Sequence, residues 1–199
     1  MSNILKVFTD DIANGPGIRV SVWFAGCSHQ CKGCHNPETW KYNQGKDLTF
    51  TLIRKIVELC DKPYIRGLTL TGGDPLFIKN REGVSYLCDD FKLKFGNTKD
   101  IWCWTGYTWE EIKEDYLIKY NFFDVLVDGR FDLRKKAVNL PYSGSSNQRV
   151  IDVRKSLDSG EIVLWQDALK PAKVTKKLFD FQNEALKTQL DMTSLLQKM

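Results

Sequence analysis

The run Ile18-Arg19-Val20-Ser21-Val22-Trp23-Phe24-Ala25 leads without a break into Gly26-Cys27-Ser28-His29-Gln30-Cys31-Lys32-Gly33-Cys34-His35-Asn36. The first part is rich in β-branched and aromatic residues and reads as a strand. The second part is a CX3CX2C array, with three cysteines inside eight residues. Three thiols this close are hard to account for by packing. Soft thiolates select zinc, Cu(I) or iron–sulfur clusters. A [4Fe–4S] cluster closed by protein takes four ligands, so three would leave one iron to a non-protein ligand. Zinc sites usually pair their ligands, with a second pair further along. No second pair follows here: Cys60, Cys88 and Cys103 stand singly in apolar contexts and read as core thiols. The spacing favours a cluster, and zinc completed by His29 or His35 stays open.

Downstream, strand-like and helix-like segments alternate. Leu48 to Cys60 has Leu52, Ile53, Ile56, Val57 and Cys60 at helical spacing. Gly67 to Thr71 reads as a strand and Arg81 to Phe95 as a helix with Val84, Leu87, Cys88, Phe91 and Phe95 inward. Asp100 to Thr105 is a third strand, and Trp109 to Tyr120 a third helix with Thr108 as N-cap. Phe123 to Val127 is a fourth strand, and Gln148 to Val153 and Glu161 to Trp165 are shorter ones. This alternation predicts an α/β fold with a mostly parallel sheet and flanking crossover helices. Ligands in such sheets bind beyond the carboxyl ends of the strands.

The loops at those ends are unusual. The first holds the cysteines, the second is Thr71-Gly72-Gly73-Asp74-Pro75, the third is Trp104-Thr105-Gly106-Tyr107, and the fourth is Asp128-Gly129-Arg130. Any one could be an ordinary turn, but four in one layer point to a site. Asn14-Gly15-Pro16-Gly17 is a tight turn by itself. Ser143-Gly144-Ser145-Ser146-Asn147-Gln148-Arg149 could cradle an anion or lie idle on the surface.

Composition narrows the class. The chain has 199 residues, 42% apolar, and a net charge of only +4, enough for one domain with a real core. Mixed charge gives no polybasic face for nucleic acid. No apolar run is long enough for a membrane span, and the start of the chain lacks an apolar signal region, so the expected location is cytoplasmic. Lys170-Pro171-Ala172-Lys173 reads as a linker, which divides the chain into a domain over 1–167 and a C-terminal extension over 168–199 with helical apolar spacing.

The array Cys27-X3-Cys31-X2-Cys34 resembles the cluster motif of radical S-adenosylmethionine (SAM) enzymes, and Thr71-Gly72-Gly73-Asp74-Pro75 resembles their Gly-Gly-Glu motif in an Asp form. The blocks Asn14–Gly17, Gly26–Asn36, Leu68–Leu76, Ile101–Tyr107, Val127–Arg130 and Gly144–Arg149 together resemble the family that activates anaerobic ribonucleoside-triphosphate reductase. The resemblance implies a partial radical SAM (β/α) barrel. It implies that Cys27, Cys31 and Cys34 hold a [4Fe–4S] cluster, that Gly72, Gly73 and Asp74 bind the methionine amino group, and that Gly33, Cys34 and His35 line the adenine side. It further implies reductive cleavage of SAM to a 5′-deoxyadenosyl radical, which takes a hydrogen atom from a glycine in the large reductase subunit. Electrons would come from a donor such as flavodoxin, and the activase would work as a homodimer or in a heterotetramer with the reductase. No general acid or base is implied. Many radical SAM enzymes carry an aromatic residue just before the third cysteine; the Gly33 found here fits the narrower family. The competing readings are an activator of another glycyl-radical enzyme, of the pyruvate formate-lyase type, and a non-catalytic zinc-binding module.

Overall fold

The computed structural model describes residues 2–166; the expected helical extension over 168–199 lies outside them. One seven-stranded sheet organises the described residues, in the order β3-β1-β2-β4-β5-β6-β7. Its centre is β2 (Ile18–Phe24), β4 (Ile65–Gly72), β5 (Asp100–Trp104) and β6 (Val125–Asp128), joined by parallel ladders. The edges are antiparallel: β1 (Asn3–Asp11) pairs with β2 and with β3 (Lys46–Asp47), and β7 (Arg149–Asp152) pairs with β6. This is the expected α/β architecture, a mostly parallel central sheet with flanking helices, consistent with a partial radical SAM barrel.

The alternation in β2 sorts its residues onto two faces. Val20, Val22 and Phe24 join Leu68, Leu70, Ile101, Cys103 and Leu126 in the main core. Helices α1 (Phe50–Leu59) and α2 (Arg81–Phe95) cover that face with Ile53, Ile56, Val57, Val84, Leu87, Cys88 and Phe91. Cys60, Cys88 and Cys103 are buried there, as core thiols should be. The opposite face carries Trp102, Val125 and Val127, packed by Trp104, Tyr142, Val150 and Trp165.

On that second face, at the amino end of the strands, the buried Arg19 guanidinium donates to Thr69 Oγ1 at 2.7 Å and to the Leu68 carbonyl at 2.8 Å, and meets Asp100 Oδ1 at 2.6 Å. The Asn14–Gly17 turn seats it. Thr69 Oγ1 donates to the Asn14 carbonyl, Arg19 Nη1 donates to the Pro16 carbonyl, and a Cβ on Gly15 would lie 2.9 Å from Arg19 Cδ. That turn belongs to the fold and lies away from the cysteines.

Two expected elements differ. The single helix over Trp109 to Tyr120 is two short ones, α3 (Trp109–Ile112) and α4 (Tyr116–Lys119). Asp115 causes the break: its backbone is extended and its carboxylate accepts from Leu117 N at 3.0 Å, so it starts a new helix. Thr108 does open α3, its N–H donating to Glu111 Oε2 at 2.8 Å. Glu161 to Trp165 forms no strand, only a bridge from Leu164 to Ile151. The chain instead folds Val153–Ser159 into α5, capped by Asp152 and ended by Gly160 in the left-handed region.

Candidate cluster and cofactor site

Parallel register puts the strand ends side by side, with Phe24 opposite Gly72 in the β2–β4 ladder. The four loops beyond them meet at one cleft. The first contributes Cys27, His29, Cys31, Cys34, His35, Asn36 and Trp40; the second Thr71, Gly72 and Gly73; the third Trp104, Thr105 and Gly106; the fourth Gly129 and Phe131. Gly144 and Gln148 from the loop before β7 close the side. The structure thus brings together all three cysteines, His35, Gly72 and Gly73.

The cysteine loop is held by backbone bonds. Gly26 N donates to the Thr39 carbonyl at 2.8 Å and Cys27 N to the Trp40 carbonyl at 3.1 Å. Cys34 N donates to the Cys31 carbonyl at 3.0 Å, and Asn36 N reaches Cys34 Sγ at 3.4 Å. Gly33 is left-handed, and a Cβ there would sit 3.0 Å from Leu133 Cδ1. Gly33 is thus backed by Leu133 and does not line the cleft, whereas Cys34 and His35 do.

The Gly-Gly-Asp turn is stitched to the same loop. Gly73 N donates to the Phe24 carbonyl at 2.8 Å, and Asp74 N to the Gly26 carbonyl at 2.9 Å. The buried Asn80 amide donates to the Ala25 and Asp74 carbonyls, both at 2.9 Å. A Cβ on Gly72 would lie 2.7 Å from Phe24 N, and one on Gly73 2.5 Å from the Gly26 carbonyl oxygen. Only glycines let these two backbones come so close.

Asp74 is held by its neighbours. Its side chain is buried and does not line the cleft. Oδ1 accepts from Leu76 N at 2.8 Å and from Thr105 Oγ1 at 2.9 Å; Oδ2 accepts from Gly106 N at 2.9 Å and lies 2.9 Å from His29 Nε2. Three protein donors thus hold the carboxylate in place. Gly72 and Gly73 line the cleft, and Asp74 ties the turn to the loop after β5.

The donor set fits an iron–sulfur cluster. All six cysteines are free thiols, and three of them wall one cleft. Among the described residues, no three His, Cys, Asp or Glu side chains converge on a single ion. His29, a candidate zinc ligand, has its ring committed elsewhere: Nδ1 accepts from Arg130 Nε at 3.1 Å and Nε2 faces Asp74. Burial first, then the Asp74 charge, push the Cys27 thiol up to about 11, and burial also raises Cys31. A cluster that takes these sulfurs as thiolates must displace their protons.

The Gly/Ser loop before β7 is fixed from within. Gln148 Oε1 accepts from Gly144 N at 2.9 Å and its Nε2 donates to the Gly129 carbonyl at 2.9 Å, so the Gly/Ser loop is fastened rather than open to an anion. Asp128 does not reach the cleft either; it is buried against Trp109 N and clamps Arg149, which also pairs with Glu110 at 2.8 Å. Trp104 closes β5 within the third strand-end segment, while Phe131 has only its position just past β6 to mark it.

This chemistry defines a class. A model of the 4Fe-4S single cluster domain matches residues 13–151, and the chain is a single-cluster [4Fe–4S] protein of the radical SAM type. Its relatives narrow the class. An anaerobic ribonucleoside-triphosphate reductase-activating protein of Enterobacteria phage T4 is 42% identical over 148 residues, which is 74% of this chain and 92% of the relative. Proteins of the same description from Vibrio cholerae (38% identical, 73% of this chain, 95% of the relative) and Escherichia coli K12 (36%, 76% and 99%) are also similar. The chain belongs to the family of anaerobic ribonucleoside-triphosphate reductase-activating proteins.

Proposed function

We propose that Cys27, Cys31 and Cys34 are the thiolate ligands of one [4Fe–4S] cluster, and that Gly72 and Gly73, with Cys34 and His35 across the cleft and Gly33 beside them, receive SAM. The protein is the activating enzyme of an anaerobic ribonucleoside-triphosphate reductase. The observation that carries the site assignment is the convergence of all three cysteines and both glycines on one cleft at the carboxyl ends of four parallel strands. A cluster held there would supply the single electron for reductive cleavage of SAM, the chemistry needed to take a hydrogen atom from a glycine of the large reductase subunit.

The chain's own residues do the rest. The three thiolates would hold the cluster in the cleft that the Gly72–Gly73 edge also lines. Asp74, Asn80 and the paired backbones hold that edge at a fixed distance from the cysteine loop. Trp40, Trp104 and Phe131 line the cleft with apolar surface, which keeps water and stray hydrogen donors from a reactive carbon radical. The cleft needs no general acid or base. A small one-electron donor of the flavodoxin kind reduces the cluster, and the activase acts docked on the large subunit, as a homodimer or in a heterotetramer, in the reducing cytoplasm. No helix of the described residues is long and apolar enough to cross a membrane.

Anaerobic reconstitution with iron and sulfide tests this. The expected product is a brown protein with about four irons per chain that forms 5′-deoxyadenosine from SAM under reduction. A colourless protein that binds zinc, or a cluster protein inert towards SAM, would overturn it. Supplying pyruvate formate-lyase beside the reductase decides the substrate; the reductase alone should gain a radical.

A further inference from the structure

His29 lies between Cys27 and Cys31, yet its ring leaves the cysteine loop and enters the protein. Its side chain is only 4% exposed. Each of the other three strand-end loops touches it. Asp74, after β4, places Oδ2 2.9 Å from Nε2. Tyr107, after β5, meets the ring edge-on at a centroid distance of 4.5 Å, and a Cβ on the adjacent Gly106 would fall 2.3 Å from His29 Cδ2. Arg130, after β6, donates to Nδ1 from Nε at 3.1 Å.

Acceptance at Nδ1 puts the ring proton on Nε2, facing Asp74. The approach is short but is not aligned as a full hydrogen bond, and Nε2 has no other partner. The next residue, Gln30, is left-handed at φ 45°, a conformation that L-residues avoid unless their surroundings hold them in it.

We propose that His29 is a positioning residue. It locks the cysteine loop to the Gly-Gly-Asp turn, and so fixes the three thiols relative to the Gly72–Gly73 edge proposed to receive SAM. The proposal rests on the cluster and SAM reading above. Filling the ring's volume is not enough for this role: an apolar side chain would leave Asp74 Oδ2 without its proton-bearing neighbour, whereas glutamine can place an N–H near the Nε2 position.

The test uses the full chain as His29→Ala and His29→Gln, reconstituted anaerobically beside the native protein. Iron per chain and the SAM-dependent change in the electron spin resonance signal of the reduced cluster are measured against SAM concentration. All three proteins should take up about four irons. The alanine variant should need roughly tenfold more SAM for half the spectral change, with KM for SAM rising more than kcat falls, and glutamine should restore most of the loss. An alanine variant that titrates like the native chain, or a glutamine variant no better than alanine, overturns the proposal. Native protein that takes up iron but shows no response to SAM refutes the underlying reading instead, and the proposal with it. If the alanine variant fails to assemble a cluster, thermal unfolding of the cluster-free chain decides: His29→Ala and Asp74→Asn should combine non-additively, and simple additivity overturns the linkage.

Discussion

Gly73 leaves no room for a side chain. A methyl group there would meet the Gly26 carbonyl oxygen at 2.5 Å and the Thr39 carbonyl oxygen at 2.9 Å. Both are backbone atoms of the cysteine loop, so they cannot swing aside. Gly73→Ala should cost about 1–3 kcal/mol of stability by overpacking, read as a lower unfolding midpoint, and should weaken SAM binding because the two loops are forced apart. An alanine variant with native stability would mean the loops are looser than drawn. Cys31→Ala should abolish SAM cleavage and lower the iron content; full activity would remove Cys31 from the ligand set. Asp74→Ala belongs to a different kind. It should retain the cluster, since Asp74 is no proposed ligand, but lose about 1–3 kcal/mol by stranding the Thr105 hydroxyl and the Gly106 N–H. SAM binding should weaken with it. The same residue marks a limit of sequence reading. A Gly-Gly-Asp turn announces a site, but only the fold shows which protein donors its carboxylate holds.

Elements were legible where their pattern was strong and flanked by breaks. The helix from Arg81 to Phe95 is found as read, ending at Gly96, because its apolar face repeats over fifteen residues. The central strands are found to within a few residues for the same reason. β1 went unread: Asn3–Asp11 mixes charged residues with apolar ones near a sheet edge, where antiparallel pairing to β2 holds it. The break between α3 and α4 went unread because Asp115 sits at a position that a continuous helix would also tolerate. Tertiary context decides it, since Asp115 accepts from Leu117 N and pairs with Arg81 at the start of α2. Asp115→Ala should therefore destabilise by about 1–2 kcal/mol, the range of a lost cap, measured by chemical denaturation. An unchanged midpoint would mean the break has another origin. Asn80 shows the opposite economy: it precedes α2 without capping it, and its amide serves the site loops instead.

Across the whole molecule, electrostatics set the acid limit of stability. Burial opposes the charge on Asp11, but bonds from Ser21, Asn14 and the Ala13 N–H outweigh it and hold the carboxyl below its ordinary 3.8. Bonding to Arg149 brings Glu110 down from 4.5 to about 2. Both are depressed carboxyls, so the stability they contribute is complete above their unfolded values and is lost as pH falls through the folded ones. Glu110 is more than half exposed, so its share is small, below about 1 kcal/mol. Unfolding of the cluster-free chain should grow easier from pH 4.5 towards pH 2, and Glu110→Gln should flatten that slope. A variant with the native slope would remove the Glu110–Arg149 pair from the account.

The same global view explains why one cleft suffices. Parallel strands bring four loops to one edge, and the antiparallel edge strands leave the barrel partial. The central claim is that three thiolates leave a cluster iron for SAM. Electron–nuclear double resonance on the reduced, reconstituted protein, with SAM labelled by nitrogen-15 in its amino group, tests it most directly. A hyperfine coupling between that nitrogen and the cluster is the result expected. A cluster whose four irons are all held by protein, with no coupling to the labelled SAM, would contradict it.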